Sequence, residues 1–111
     1  MVIENFLDGF IAAANAFDVN AFLAHWHSDA ILNDPSVGRQ FCGHIQIQAY
    51  FEDYFIGYQT QTELVNTEVS GEHKAHIKVL FKGNFPQREI EGVFDFTFKH
   101  GKIITATADL I

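Results

Sequence analysis

Positive charge is scarce in this sequence. The chain carries 7 Lys and Arg residues against 14 Asp and Glu residues, which gives a formal net charge of −7. Proteins bind nucleic acids and anionic membrane surfaces through clustered cations that displace counterions from the polyanion. The sequence therefore predicts that neither nucleic acid nor an anionic membrane is a partner.

Cysteine and long apolar runs are also scarce. Cys42 is the only cysteine, so no disulfide can form within the chain. The longest apolar run is Phe10–Ala14, whereas a membrane-spanning helix needs about 20 residues. The N-terminus has no basic stretch followed by a long apolar one, and we expect a cytoplasmic protein without a membrane span.

Apolar residues, and phenylalanine above all, are abundant. Hydrophobic residues make up 48% of the 111 residues, and 12 of them are Phe. This composition is typical of a packed globular chain, and the length fits one domain over residues 1–111. No repeat, low-complexity segment or linker divides the chain.

The N-terminal half has the apolar spacing of helices. Residues three and four apart over Val2–Phe17 predict a first helix. Asp18 can cap a short second helix that continues through Trp26. A third helix is predicted over His44–Ile56 and is closed by Gly57.

The remaining segments are predicted to be strands and turns. Ala30–Leu32 is predicted to be a short strand, and Pro35 keeps Asp34 extended at the strand end. Ser36–Gly43 has turn composition. After Thr60 the pattern predicts four long strands, with breaks at Ser70–Gly71, Asn84–Pro86 and His100–Gly101. Helices followed by a run of strands indicate an α+β fold, with the helices on one face of an antiparallel sheet.

Strand alternation divides the sheet into two faces. The inner face carries Gly92, Ala106 and Ala108 among many Phe rings, and such small residues fit either a hollow or close packing against the helices. The outer face carries the apolar residues Leu80, Val93 and Ile103. Apolar residues on a face that should contact water predict that a second subunit covers part of it.

Segments over nearly the whole chain carry a family resemblance: Phe10–Val19, Trp26, Ser28–Ala30, Asn33–Pro35, the helix after Gly43 and the closing segment Phe94–Ile104. In these segments the sequence resembles the cone-shaped superfamily of nuclear transport factor two. Within that superfamily it is most similar to the SnoaL-like polyketide cyclases and ketosteroid isomerases. The resemblance implies three N-terminal helices on a strongly curved, mostly antiparallel sheet that forms a cone. It also implies a homodimer through the outer sheet face.

The resemblance assigns a catalytic role to one residue. Asp34, directly before Pro35, matches the family's general base, a carboxylate that moves a proton next to a carbonyl. The family's two hydrogen-bond donors to the developing enolate correspond to Phe10 and Phe94, which have no donor group. Loss of one such donor typically costs about a hundredfold or more in rate. We therefore expect little or no steroid isomerase activity.

Other candidate residues have two interpretations each. Asp34 is either a general base or only the residue that shapes the Asp-Pro turn. Trp26 is either a core residue or part of a substrate-binding wall. Tyr50 and Tyr54 share a face of the third helix, where they either supply a donor hydroxyl or simply pack. The complete substrate-binding prediction is Phe10, Trp26, Tyr50, Tyr54, Phe94, Ala106 and Ala108.

No metal or organic cofactor is predicted. The chain has six His residues, and His25 and His27 lie two apart on the predicted second helix, where they point to different sides. Nothing in the spacing of the others predicts ligands that converge on a metal ion. No glycine-rich phosphate loop and no Ser-His-Asp or Cys-His arrangement is present.

Two functions remain. In the first, the protein is a cofactor-independent isomerase, cyclase, dehydratase or hydrolase that acts on a small hydrophobic carbonyl or cyclic molecule, with Asp34 as the base. In the second, it is a non-catalytic ligand-binding or dimerisation module of the same fold. An interior filled by Phe rings, with no pocket that reaches Asp34, excludes the first function.

Overall fold

A computed structural model describes all residues from 1 to 111. The three helices are α1 (Ile3–Asn15), α2 (Val19–Ala24) and α3 (Gly43–Phe51), and α3 continues into a π-helical turn over Glu52–Ile56. The six strands are β1 (Trp26–Asp34), β2 (Arg39–Cys42), β3 (Gln61–Ser70), β4 (Lys74–Lys82), β5 (Glu89–Lys99) and β6 (Lys102–Leu110). None of the helices has the length and apolar character needed to cross a membrane.

The six strands form one sheet with the order β2-β1-β6-β5-β4-β3. Every neighbouring pair is antiparallel except β1 and β6, which are parallel. Helix α1 packs against β3, and α3 packs against β1. The side-chain amide of Asn15, at the end of α1, bonds to the backbone of Thr62 on the edge strand β3. It donates to the carbonyl of Thr62 at 2.9 Å and accepts from the N–H of Thr62 at 2.7 Å. The predicted α+β arrangement of three helices on a mostly antiparallel sheet is confirmed.

The second helix is shorter than its apolar spacing predicts. Asp18 caps α2 as expected, since its side chain accepts from the N–H of Ala21 at 3.1 Å. The helix ends at Ala24, however, and Trp26 begins β1, where it pairs with Ile103 of β6. The prediction of a helix through Trp26 is therefore wrong, and His27 also lies on β1. Pairing with a distant strand overrides the local helical pattern here.

The segment around Asp34 is a β-hairpin. Strand β1 ends at Asp34, which confirms the strand end that Pro35 predicts. The predicted short strand Ala30–Leu32 is only the middle of β1, and the segment predicted as a turn contains strand β2. Asp34 pairs with Arg39 across the hairpin, and Gly38 adopts a φ of 66° in the turn between them. That positive φ favours glycine.

Phenylalanine rings fill the space between α1 and the sheet. Phe10 is buried, and its ring contacts the rings of Phe22, Trp26, Phe94 and Phe96.

The small residues of the inner face make room for these rings. In the pairing of β5 with β6, Ala106 lies opposite Phe96 and Ala108 opposite Phe94. A Cβ atom added at Gly92 would clash with the Phe81 ring. Of the two arrangements that the small residues allow, this part of the molecule has the close-packed one.

The outer face of the sheet differs from the prediction at one position. A register shift between Thr97 and Phe98 places Ile103 opposite Phe98, and Ile103 is fully buried. The outward placement of Ile103 is therefore wrong, because strict alternation cannot anticipate a bulge. Leu80 and Val93 do lie on the outer face and are partly exposed.

Two polar pairs flank these two apolar residues. Lys78 and Glu91 approach to 3.3 Å, and His76 and Asp95 approach to 2.6 Å. These four side chains therefore have partners within the face.

We expect the wild-type chain to be a homodimer through this face, with about twice the monomer mass of 12.6 kDa in sedimentation at tens of micromolar. Val93→Arg should give a monomer, because the longer, charged side chain would have to lose water and would disturb the packing of the two faces on dimerisation. Val65→Arg on the edge strand β3, where Val65 is 55% exposed, is the matched control and should remain dimeric. A monomeric wild-type protein would contradict the prediction.

Candidate functional site

Asp34 is a buried carboxylate whose first oxygen is held by the turn that follows it. Its side chain is 5% exposed. Its Oδ1 accepts a hydrogen bond from the backbone N–H of Ser36 at 3.0 Å and another from the Ser36 hydroxyl at 2.5 Å. Aspartate commonly bonds to the backbone two residues on in turns, and Pro35 restricts the backbone between the two residues. The local sequence Asp-Pro-Ser therefore fixes the orientation of the carboxylate.

The second oxygen of Asp34 accepts a hydrogen bond from α3. The hydroxyl of Tyr50 donates to Oδ2 at 2.8 Å, and both residues are 5% exposed. Burial raises the pKa of Tyr50 well above its usual 10.0, and the charge and hydrogen bond of Asp34 raise it further. Tyr50 is therefore a neutral hydrogen-bond donor at physiological pH. A carboxylate has about four acceptor sites, so three donors leave about one for a ligand.

A cavity of about 300 Å³ opens beside this pair. Asp34 and Tyr50 form its buried floor, whereas Tyr54 and Tyr58 are 37% and 41% exposed and lie at its mouth. Its remaining walls are formed by Ser36, Val37, Phe55, Thr60, Phe81, Phe85, Pro86, Gln87, Ile90 and Leu110. Asp34 is the only charged residue in the lining, and no Lys, Arg or His contributes to it.

The π-helical turn after α3 supplies one wall of the cavity. Its wider hydrogen bonding is seen where the N–H of Gly57 donates to the carbonyl of Glu52 at 2.8 Å. Two consecutive aromatic residues of this turn, Tyr54 and Phe55, both line the cavity. The rings of Tyr50 and Tyr54 lie 5.3 Å apart, which confirms that the two tyrosines share a face. Single π-helical turns are frequent at functional sites.

The loop between β4 and β5 closes the opposite side. The ring of Phe85 packs against the ring of Tyr58 with centroids 6.0 Å apart. The N–H of Asn84 donates to the carbonyl of Tyr58 at 2.8 Å, which ties the loop to the end of the π-helical segment. Gly83 is required at the start of the loop, because a Cβ there would lie 2.8 Å from the Phe85 ring and 2.9 Å from the Tyr58 carbonyl.

The structure brings together only part of the predicted site. Asp34, Tyr50 and Tyr54 line the cavity. The other predicted substrate-binding residues are all buried in the core, and none of them lines the cavity: Phe10, Trp26, Phe94, Ala106 and Ala108. They lie where the rings fill the interior, whereas the cavity lies at the end of β1, beside the turn that follows it.

Several cavity residues were missed by the sequence analysis. Ser36 follows Asp34 by two residues, and the Asp-Pro-Ser spacing is a usable signal for its hydrogen bonds. Phe81 and Ile90 pair with each other across β4 and β5, and strand alternation, which puts Ile90 on the same face as Gly92, is a usable signal for both. Phe85 lies in an irregular loop, and no sequence pattern places it over the cavity.

Histidines and acidic residues do not converge elsewhere in the structure. No group of three or more His, Cys, Asp or Glu side chains is arranged to hold a metal ion. The rings of His27 and His100 lie 6.3 Å apart, and no third potential ligand completes a cluster with them.

The comparisons with known proteins define the family. The model of the SnoaL-like domain matches residues 7–106, and the chain belongs to this family. No curated protein matches the sequence.

Solved structures share the fold. A putative polyketide cyclase from Sinorhizobium meliloti is 21% identical with a TM-score of 0.85, and the match covers 94% of this chain and 93% of that one. A nuclear transport factor two-like protein of unknown function from Burkholderia xenovorans is 20% identical with a TM-score of 0.82, covering 97% and 81%. A protein with a ketosteroid isomerase-like fold from Catenulispora acidiphila, in complex with trimethylamine, is 13% identical with a TM-score of 0.82, covering 93% and 82%.

The burial of Tyr50, together with the charge and hydrogen bond of Asp34, predicts a pH-dependent stability. Because the folded chain raises the pKa of Tyr50, the unfolded chain loses the tyrosine proton first as the pH rises. The stabilisation should be complete below pH 10 and should be lost progressively above it. Urea unfolding of the wild type across this range should show the decline, and Tyr50→Phe should show a smaller one.

At neutral pH, Tyr50→Phe should lower the free energy of unfolding by about 1–3 kcal/mol, because it removes a hydrogen bond to a buried carboxylate. Tyr54→Phe is the matched control: its hydroxyl is at the mouth of the cavity, and the change should be within about 0.5 kcal/mol. Equal effects of the two substitutions would show that the Tyr50 hydroxyl does not stabilise the fold through Asp34.

Proposed function

We propose that this protein binds a small, largely apolar carbonyl or cyclic molecule in the cavity and transfers a proton with Asp34 as the general base, without a metal or organic cofactor. The observation that carries this proposal is the position of Asp34. It is a buried carboxylate in the wall of an otherwise uncharged, largely apolar cavity, and it has about one acceptor site left.

The surroundings of Asp34 support proton abstraction next to a carbonyl. Six aromatic rings line the cavity and limit the contact of a bound molecule with water. A carboxylate that faces such a molecule has no competing cation, because no salt bridge involves Asp34. General base catalysis by a positioned carboxylate contributes about 10²–10⁴-fold in rate.

Tyr50 gives the reaction a hydrogen-bond donor at a position that the family pattern does not predict. As Asp34 takes a proton from the carbon next to the carbonyl, the bonding electrons of that C–H move to the carbonyl oxygen and form an enolate. Protonation of Asp34 removes the charge that attracts the Tyr50 hydroxyl, 2.8 Å away. The hydroxyl is then free to donate to the enolate oxygen, which replaces the donors missing at Phe10 and Phe94.

A second candidate is a ligand-binding module without chemistry. The packing of Phe10 and Phe94 in the core favours it, because neither residue reaches the cavity or offers a donor. In this case Asp34 and Tyr50 anchor a polar group of the ligand and move no proton.

Hydrogen–deuterium exchange at the α-carbons of cyclohexanone separates the two candidates. We expect the wild-type protein to accelerate the exchange above the buffer rate, as followed by NMR in D₂O. Asp34→Asn should lose about a hundredfold or more of this acceleration. Asp95→Asn, an exposed aspartate on the outer face, is the matched control and should retain it. Binding of cyclohexanone in the cavity without acceleration would favour the non-catalytic module.

A further inference from the structure

The cavity also has features of a cation site. Its single charged group is the carboxylate of Asp34, which is 5% exposed and forms no salt bridge. The residue that pairs with it across the hairpin, Arg39, points elsewhere: its guanidinium lies 4.6 Å from the centre of the Phe41 ring. The cavity therefore presents a buried negative charge without a cationic partner.

The hydrogen bonds of Asp34 come only from neutral donors. Ser36 and Tyr50 supply all three, so they replace part of the water lost on burial but do not neutralise the charge. A buried charge without an opposite charge is costly in a protein interior. A cationic ligand would supply the missing charge, whereas the carboxylate of an anionic ligand would be repelled.

The aromatic walls of the cavity determine which kind of cation it can bind. Six of the 14 lining residues are aromatic: Tyr50, Tyr54, Phe55, Tyr58, Phe81 and Phe85. Aromatic faces attract cations within about 6 Å of the ring centre, and cages of such rings recognise alkylated ammonium groups. A primary ammonium is strongly hydrated and would lose that water among largely apolar walls, where Asp34 is the single charged group and has about one free acceptor site. An alkylated ammonium needs fewer hydrogen-bond acceptors, and its alkyl groups pack against apolar rings.

The dimensions and access fit a small ligand. A volume of about 300 Å³ lies at the lower end of the range for small-molecule sites. Tyr54 and Tyr58 at the mouth are partly exposed, so a cation would contact their rings on the way to Asp34.

We propose that the cavity binds a small tertiary or quaternary alkylammonium compound, with Asp34 as its counter-ion and the tyrosine rings as its cation–π partners. The inference concerns the same cavity as the proposed function and rests on that cavity being a ligand site. It does not require proton transfer from carbon.

A pair of isosteric probes tests this proposal. Choline and 3,3-dimethyl-1-butanol have the same shape, but the first has a quaternary nitrogen where the second has a neutral carbon. Titration of the wild-type protein, followed by NMR shifts of the cavity residues, should give choline an affinity about tenfold or more above that of the neutral alcohol. Asp34→Asn should abolish this preference, and Asp95→Asn should retain it.

Variants at the mouth test the contribution of the rings. Tyr54→Leu should weaken choline binding and leave the neutral alcohol unchanged, whereas Tyr54→Phe should restore choline binding because it keeps the ring. These variants also serve if Asp34→Asn does not fold. Equal affinities for the two probes, or no binding of choline, would overturn the ammonium proposal.

The result is separable from that of the exchange experiment. A choline preference that depends on Asp34, with no cyclohexanone exchange, would support the ammonium site and contradict the general base. Exchange that depends on Asp34, with no choline preference, would support the general base and contradict the ammonium site.

Discussion

The packing of phenylalanine rings on small residues determines which part of the interior is filled and where a cavity remains. Phe94 lies opposite Ala108, and Phe96 lies opposite Ala106. The ring of Phe10, on α1, packs against the rings of both phenylalanines. Because the rings occupy the volume between helix and sheet, no cavity forms there. The cavity that reaches Asp34 lies instead at the end of β1, where the chain turns after this residue. The candidate functional site is therefore confined to the surroundings of that turn.

The hydrogen bond between Tyr50 and Asp34 connects the fold with the site. It joins α3 to β1 over 16 residues of sequence and holds the carboxylate at the cavity floor. Burial that raises the pKa of Tyr50 also keeps its hydroxyl a donor. In a general-base reaction this donor is adjacent to the base and is released when the base is protonated. If an ammonium ion is bound, the same hydrogen bond holds Asp34 in place as the counter-ion. Both roles use the same geometry.

Sequence reasoning succeeded where a local pattern has one physical meaning. The Asp34-Pro35 pair predicted an extended residue at a strand end, and the four-residue spacing of Tyr50 and Tyr54 predicted a shared helix face. It failed where distant pairing decides the outcome. Trp26 joins β1 because β6 is available as a parallel partner, and Ile103 turns inward because of a bulge at Ile104 in β6. The position of the cavity also escaped prediction, since composition allows both a hollow and a packed interior.

The most direct test of the account is the location of a bound ligand. In a crystal of the protein soaked with cyclohexanone, we predict density in the cavity between Tyr50 and Phe85, with the ligand against the carboxylate of Asp34. Density in the core beside Phe10, on the outer sheet face or in the surface cleft near His73 and His100, with the Asp34 cavity empty, would contradict it.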